Sequence, residues 1–410
     1  MIVSDRPLPS PRQLGYQAME LGMFCHFGPN TFADQEWGEG DDDPAIFDPP
    51  ELDPAQWAKT AADAGMHYLV VTAKHHDGFC LWPTDTTDYS VRSSPWAGGK
   101  GDVIELVARA CRDHTLTLGI YCSPWDRHEP CYDDEPAYDR HFSRQWTELL
   151  TRYGPVGFVW LDGAGSKGHV YDWQMIISTI REHAPEACIF SMGEPDVRWV
   201  GNEDGLAPDP CWNVVERPEG TNASEWLLPG YRESFPHWLP AECDARIRAN
   251  WFWHDHDLPS LKSVERLVHM YYNSVGRGCN LLLNIGPDRR GLLPEPDVDR
   301  LGETAAELGR RFGNPLGEAT GPAERLEVAF ERPTAVNHAI IREDIARGER
   351  VRQFTIAARV RGRWQGMHVG TAIGHKRIVS FPTVLADALA VTPTHFDTQP
   401  QLSSLAAFYC

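Results

Sequence analysis

The 410-residue sequence contains no apolar run long enough to cross a membrane and no stripe of basic residues. Its longest apolar stretches, such as Tyr68–Ala73, fall far short of the roughly 18 residues that a membrane span needs. With 38 basic and 58 acidic residues the net charge is −20, which argues against a phosphate backbone as partner. We therefore expect neither membrane nor nucleic-acid binding, while neutral sugars remain open as ligands.

We also expect no secretory signal, because no apolar run of sufficient length follows a basic start at the N-terminus. The ten cysteines are scattered, with no Cys-x-x-Cys pair and none of the cysteine spacings typical of a metal site. These patterns predict a cytoplasmic protein with reduced thiols.

The order of the predicted elements indicates the fold. From about residue 20 to 313, short β-branched and aromatic runs alternate with amphipathic helical patterns, and no Gly-x-Gly-x-x-Gly motif opens a helix. This alternation favours a (β/α)8-like (TIM-type) barrel over a doubly wound sheet. The predicted strands are 22–27, 68–73, 117–122, 156–161, 188–192, 248–253 and 280–285. The predicted helices are 54–64, 103–113, 138–153, 171–183, 260–275 and 297–312.

Two regions depart from the barrel pattern. Residues 205–242 carry six prolines and no helical period, so we expect a long irregular loop of functional importance. After Pro315, short alternating runs separated by turn residues predict a C-terminal β-sandwich. Its predicted strands are 325–330, 338–342, 353–360, 364–373, 376–381, 388–394 and 402–409. We therefore predict a catalytic barrel over residues 1–314 and a sandwich over 315–410.

Polar side chains gather at the predicted carboxyl ends of the barrel strands, where such barrels carry their chemistry. They are His26, Lys74, His75, His76, Asp77, Tyr121 and Asp162. Histidine and aspartate would suit zinc or iron, but neighbours on a strand point to opposite sides, so at most one of His75 and His76 would join a shared metal. The 15 tryptophans, many of them in loops and at strand ends, favour a sugar site instead.

Hydrolysis of a glycoside needs two carboxyl groups, about 5–5.5 Å apart for retention of configuration or about 6.5–9.5 Å apart for inversion. Asp162 is the first candidate. The second is Glu203 on a glycine-flanked turn, and Glu242, Glu216 and Glu194 remain alternatives.

Six motifs in sequence order resemble those of the α-L-fucosidases of glycoside hydrolase family 29, over roughly residues 12–313. They are Gly22–Phe32, Gln35–Gly40, Thr72–Phe79, Trp160–Gly163, Arg198–Glu203 and Asn280–Pro287. The resemblance implies a retaining exo-α-L-fucosidase that acts on fucosylated oligosaccharides without a metal or other cofactor. The rival interpretations are a fucose-binding protein without activity and a related glycosidase acting on another sugar.

The resemblance also implies roles for individual residues. Asp162 corresponds to the nucleophile of the family. Glu203 corresponds to the general acid/base in the branch selective for α-1,3/1,4-linked fucose, and Glu242 is the fallback for that role. Residues implied to bind the sugar are His26, Glu36, Trp37, His75, His76, Tyr121 and Trp160. Phe27, Phe79 and Trp251 are hypothetical walls for the methyl group of fucose.

Overall fold

The computed structural model describes residues 6–218 and 224–410. The first ten strands along the chain are β1 (Leu21–Cys25), β2 (Tyr68–Lys74), β3 (Thr117–Cys122), β4 (Phe158–Trp160), β5 (Cys188–Phe190), β6 (Arg198–Trp199), β7 (Val214–Val215), β8 (His237–Trp238), β9 (Ala241–Arg246) and β10 (Asn280–Asn284). Eight of them pair in parallel in the order β5-β4-β3-β2-β1-β10-β9-β6. A parallel bridge between Phe190 and Val197 joins the two edges and closes the barrel.

The helices of this part of the chain surround the barrel or begin its loops. They are α1 (Pro11–Met19), α2 (Pro29–Ala33), α3 (Pro54–Asp63), α4 (Val103–Asp113), α5 (Glu135–Arg152), α6 (Trp173–His183), α7 (Pro229–Glu233), α8 (Val264–Asn273) and α9 (Glu295–Phe312). Four begin at an aspartate whose side chain accepts a backbone N–H of the first turn, a cap that contributes about 1 kcal/mol. These caps are Asp53, Asp102, Asp134 and Asp172. Among the described residues, no helix combines the length and the apolar composition that a membrane span requires.

Aromatic side chains fill the barrel interior. Tyr16 from α1, Phe24, Tyr68, Phe158 and Trp160 belong to one buried cluster inside the ring of strands. A second, larger cluster lies between the strands and the outer helices and includes most of the aliphatic residues. The interior is therefore a packed core at its base, and the space for a ligand lies at the carboxyl ends of the strands.

Most barrel elements lie where the sequence predicts them, and β3 and α4 match to the residue. The strand predicted at 248–253 is wrong. The strand at this point of the barrel is β9, at Ala241–Arg246, at the end of the range predicted to be an irregular loop. The aromatic run near Trp251 resembles a strand, whereas β9 carries charged residues that sequence patterns do not place inside a barrel.

The rest of the predicted 205–242 loop contains β7, β8 and α7. Residues 219–223 of that loop lie outside the described residues, as do residues 1–5, on which the expectation of no secretory signal partly rests. No helix separates β5 from β6, so the barrel is (β/α)8-like rather than regular.

The C-terminal strands form an antiparallel sheet around a separate hydrophobic core. They are β11 (Gly317–Ala323), β12 (Leu326–Glu343), β13 (Val351–Val360), β14 (Arg363–Gly370), β15 (Arg377–Phe396) and β16 (Leu402–Phe408). Strands β12 and β15 each span two predicted strands. Irregular register between Ala329 and Thr334 lets the two long strands bend while they stay paired. The predicted (β/α)8-like barrel with a C-terminal β-sandwich is thus confirmed.

Charged side chains join the barrel to the C-terminal strands. The carboxylate of Glu20 accepts hydrogen bonds from Lys376 Nζ at 2.6 Å and from Arg342 Nη2 at 2.9 Å. Arg377 binds both carboxylate oxygens of Asp209 at 3.0 and 2.6 Å. Paired in this way, the charges can be partly buried at the contact between the two regions.

Candidate active site

A cavity of about 530 Å³ lies at the carboxyl ends of the barrel strands. Its lining residues are Phe24, His26, Glu36, Trp37, His75, His76, Trp160, Asp162, Gly163, Ala164, Phe190, Ser191, Trp199, Glu203, Trp226, Asp244, Arg246 and Trp251. Five of these are tryptophans and four are carboxylates. Such a cavity offers apolar faces for a sugar ring and polar groups for its hydroxyls.

Asp162 lies two residues beyond the end of β4, and donors hold both of its carboxylate oxygens. The Tyr121 hydroxyl donates to Oδ2 at 3.2 Å, and the backbone N–H of Ala164 donates to Oδ1 at 2.8 Å. His76 Nε2 lies 3.6 Å from Oδ2. These donors fix the direction of the carboxylate. The side chain is 24% exposed, so a ligand in the cavity can reach it.

The turn after Asp162 passes close to an indole ring. A Cβ atom on Gly163 would lie 2.2 Å from the ring of Trp226. Glycine at this position therefore lets the backbone and the indole form adjacent parts of the cavity wall.

Three histidines line the same cavity. The ring centroids of His75 and His76 are 4.1 Å apart, and those of His26 and His75 are 5.6 Å apart. The expectation that His75 and His76 point to opposite sides of a strand is wrong, because β2 ends at Lys74 and the chain turns from there. Both imidazoles therefore face the site.

Burial keeps these imidazoles neutral. It lowers the pKa of His26 to about 3, and His26 Nδ1 lies 2.7 Å from the Asn284 side-chain oxygen. Burial also lowers the pKa of His75, and it lowers that of His76 against the opposing effect of Asp162. At neutral pH the three rings are therefore uncharged groups that can each donate and accept hydrogen bonds.

Glu36 links two walls of the cavity. Its Oε2 accepts the N–H of Trp251 at 3.1 Å, and its Oε1 accepts the N–H of Phe252 at 3.2 Å. His254 Nε2 lies 3.0 Å from the same Oε1. The neighbouring Trp37 ring is half exposed and stands at 82° to the His76 ring. Glu36 therefore fixes the backbone that carries Trp251 and Phe252 and lies beside His254 at the cavity wall.

The two acid/base candidates occupy different places. Glu203 lies four residues beyond the end of β6 and lines the cavity, with its Oε2 3.2 Å from Arg246 Nη2. Its side chain is 42% exposed. Glu242 is fully buried inside the barrel and does not line the cavity. A general acid must reach the leaving oxygen within hydrogen-bond distance, and this geometry favours Glu203.

Protein donors saturate the carboxylate of Glu242. Oε1 accepts Trp160 Nε1–H at 2.8 Å, and Oε2 accepts the hydroxyls of Tyr16 at 2.6 Å and Tyr68 at 3.2 Å. Burial raises the pKa of Glu242 to about 7, although these hydrogen bonds oppose the shift. Glu242 therefore contacts the site only through Trp160.

Strand β9 supplies two cavity residues that the sequence analysis missed. Trp199 Nε1 donates to Asp244 Oδ1 at 2.6 Å, and the Arg246 guanidinium lies 5.3 Å from the Trp251 ring centroid. Burial, followed by the charges of Glu242 and Glu203, raises the pKa of Asp244 well above its usual value. The signal was available, because charged residues alternate with Ala and Cys across Ala241–Arg246.

Some of the remaining predicted residues line the cavity and others do not. Trp160 lines it, whereas Tyr121 is buried and reaches it through Asp162. Glu194 and Glu216 are exposed outside it. Of the hypothetical methyl-group walls, only Trp251 lines the cavity, since Phe27 and Phe79 pack in the core against Phe47.

Comparison with known proteins agrees with this geometry. Residues 41–310 match the family model of alpha-L-fucosidase. The sequence is 39% identical to Alpha-L-fucosidase 1 of Arabidopsis thaliana, in a match that covers 98% of this chain and 87% of that protein.

Solved structures extend the likeness to the whole fold. A glycoside hydrolase 29 family member from an unknown rumen bacterium superposes with a TM-score of 0.89 at 36% identity, covering 98% of this chain and 77% of that one. A GH29 fucosidase of Ruminococcus gnavus, solved in complex with fucose, superposes with a TM-score of 0.88 at 30% identity, covering 98% and 95%. The chain therefore belongs to the alpha-L-fucosidase family of glycoside hydrolases.

Proposed function

We propose that this protein is a retaining exo-α-L-fucosidase that releases terminal α-1,3- or α-1,4-linked L-fucose from oligosaccharides or glycoconjugates. The main support is that Asp162 and Glu203 are carboxylates of one cavity. The other two carboxylates of that cavity are engaged elsewhere. Backbone N–H groups hold Glu36, and Trp199 holds the buried Asp244. Asp162 and Glu203 both follow barrel strands, and their side chains are 24% and 42% exposed at the cavity, which makes them the pair proposed for hydrolysis.

Asp162 serves as the nucleophile. Tyr121 and the Ala164 N–H orient its carboxylate. One carboxylate oxygen attacks the anomeric carbon, the bond to the leaving oxygen breaks, and a covalent fucosyl-enzyme forms.

Glu203 serves as the general acid and then as the general base. Its carboxyl group gives a proton to the leaving oxygen as the fucosyl-enzyme forms. It then removes a proton from the water that hydrolyses the intermediate, so both carboxyl groups return to their starting forms.

The fucose itself occupies the inner part of the cavity. Neutral His26, His75 and His76 can each donate and accept hydrogen bonds to ring hydroxyls without the cost of burying a charge. Trp160 and Trp251 offer apolar faces to the C–H side of the ring and its methyl group.

The leaving group occupies the outer part, near Glu203. The support for α-1,3/1,4 linkages is the resemblance of Arg198–Glu203 to the branch of the family selective for them. Trp226 adds an aromatic wall from the long 205–242 segment, close to Gly163. An aromatic face at this position suits the second sugar of a branched acceptor.

Proton NMR during hydrolysis of 4-nitrophenyl α-L-fucoside tests the proposed stereochemistry. We expect α-L-fucose to appear first and the β-anomer to appear only by later mutarotation. Initial release of β-L-fucose would exclude the retaining mechanism.

A comparison of linkages tests the proposed specificity. We expect fucose release from Lewis-type trisaccharides to be much faster than from lactose that carries α-1,2-linked fucose. Equal rates, or the reverse preference, would overturn the linkage assignment while leaving the fucosidase activity intact.

A further inference from the structure

Three possible metal ligands meet outside the active site, where the segment that connects β3 to α5 packs against α5. They are Glu129, Cys131 and His141, and one ligand atom from each lies within 4.8 Å of the other two. In residues 6–218 and 224–410 no other group of three histidine, cysteine, aspartate or glutamate side chains comes together in this way. The sequence analysis missed it because it examined spacings between cysteines, whereas this set combines three residue types.

His141 is a buried imidazole without an ordinary partner. Its Nε2 is buried and has no hydrogen bond to any described residue, and its Nδ1 lies 3.7 Å from Glu129 Oε2. The second distance is too long for a hydrogen bond. Buried polar groups are nearly always bonded, but no hydrogen bond within the described part of the chain fixes the tautomer of this ring. With the proton on Nε2, the Nδ1 atom that faces Glu129 has a free lone pair.

One separation is too long for a direct hydrogen bond and close to that of two ligands on one tetrahedral ion. Zinc binds imidazole nitrogen and carboxylate oxygen at about 2.0–2.2 Å, so these two ligand atoms lie roughly 3.3–3.5 Å apart. The 3.7 Å between His141 Nδ1 and Glu129 Oε2 is within a few tenths of an ångström of that separation. The other Glu129 oxygen accepts the Cys131 N–H at 3.3 Å, which orients the carboxylate.

We propose that Glu129, Cys131 and His141 form a structural zinc site, with water as the fourth ligand. Thiolate, imidazole and carboxylate together are a donor set that zinc accepts and that calcium and magnesium do not prefer. Binding converts the Cys131 thiol to a thiolate and releases its proton to solvent, with no change of oxidation state. The ammonium group of Lys74 lies nearby, but its charge is paired with Asp126, with Nζ 2.8 Å from Oδ2. Lys74 therefore adds no unpaired positive charge beside the zinc ion.

The position of the site gives the ion a role. Residues between β3 and α5 also include Ser123, whose Oγ lies 2.8 Å from His76 Nδ1, and Trp125, whose ring lies 5.0 Å from the His76 ring. A zinc ion that joins Glu129 and Cys131 to His141 on α5 fixes this loop to the helix. The ion thereby stabilises the wall that supports His76 without touching the substrate.

Cobalt(II) titration of the full-length, metal-stripped protein tests the site, because cobalt reports thiolate ligation through its absorption spectrum. We expect saturation at one Co²⁺ per chain, with a thiolate-to-cobalt charge-transfer band that Zn²⁺ abolishes. Cys131→Ser should lose that band and weaken binding by about tenfold or more. Cys410→Ser is the matched control, since Cys410 is also partly buried but lies at the other end of the chain, and it should behave as wild type.

Glu129→Gln provides a second variant that keeps both the thiol and the ring, should Cys131→Ser fail to fold. It should retain the charge-transfer band but bind Co²⁺ more weakly. Absence of a saturable band in the wild type would overturn the proposal. So would a Cys131→Ser spectrum like that of the wild type, or unchanged affinity in Glu129→Gln.

Discussion

The indole N–H of Trp160 donates to the buried carboxylate of Glu242 at 2.8 Å, and this hydrogen bond connects the cavity wall to the barrel interior. Trp160 precedes Asp162 by two residues. Its ring also stacks on Phe190, with the ring centroids 4.4 Å apart. Glu242 thus supports a wall of the cavity from behind and does not line the cavity itself.

We predict that Glu242→Gln lowers kcat/KM for aryl fucosides by about tenfold, the equivalent of one hydrogen bond to a charged group. The loss should be the same for good and poor leaving groups, because positioning of Trp160 does not depend on proton transfer. Tyr16→Phe, which removes a donor to the other carboxylate oxygen, is the matched control and should act in the same direction. A loss that grows with leaving-group pKa would assign the acid/base role to Glu242.

The raised pKa of Glu242 also predicts a pH dependence of stability. Burial raises this pKa to about 7, so between pH 4.5 and 7 the folded carboxyl group keeps a proton that the unfolded one has lost. The wild-type free energy of unfolding should therefore fall relative to Glu242→Gln as pH rises through this range, by at most about 1.4 kcal/mol per pH unit. Urea unfolding of both proteins from pH 4 to 8 measures the difference, and a constant difference would contradict it.

For Glu203→Ala we predict a loss of about 10²- to 10⁴-fold on substrates with poor leaving groups. Formation of the fucosyl-enzyme from a nitrophenyl fucoside should change little, because that leaving group needs no proton. Glu194→Ala, an exposed glutamate outside the cavity, is the control and should retain wild-type kinetics. Equal losses on all substrates would remove Glu203 from the acid/base role.

Glu20 should contribute strongly to the contact between the barrel and the C-terminal strands. Burial alone would raise its pKa, but the hydrogen bond from His375 and the charges of Lys376 and Arg342 outweigh burial and lower it. We predict that Glu20→Gln costs about 3 kcal/mol of unfolding free energy at pH 7, because two cations lose their partner.

The Glu20 effect should depend on pH in the opposite direction to that of Glu242. Its stabilisation is present above pH 4.5 and should disappear as the carboxylate is protonated in stronger acid. Glu303→Gln breaks an exposed pair with Arg300 and should change stability by less than about 0.5 kcal/mol. An equally small effect of Glu20→Gln would contradict a strong contribution of Glu20 to the contact between the barrel and the C-terminal strands.

Sequence patterns predicted the barrel elements well where a segment has one apolar face towards the core and one polar face towards solvent. Helix α4 alternates apolar and polar faces and begins at the Asp102 cap, so its bounds follow from local rules. Strand β9 was missed although its residues alternate as in a strand, because the alternating residues are charged instead of apolar. Tryptophan indoles and a barrel tyrosine hydrogen-bond to its inward carboxylates only in the folded protein.

The candidate site was predictable to the extent that it lies at strand ends. Asp162, His26 and Glu203 were predicted from their positions after barrel strands and from motifs, and all three line the cavity. The sequence assigned the acid/base role to Glu203 with Glu242 as fallback. The difference in burial between the two was not predictable, because burial is a property of tertiary packing.

Chemical rescue of Asp162→Gly tests the nucleophile directly. The variant should lose at least about three orders of magnitude in kcat on 4-nitrophenyl α-L-fucoside, because no covalent intermediate can form. Added azide fits the space that the carboxylate leaves, and it should restore nitrophenol release and yield β-L-fucosyl azide. Near-wild-type hydrolysis without azide, or fucosyl azide of the α configuration, would contradict Asp162 as the nucleophile.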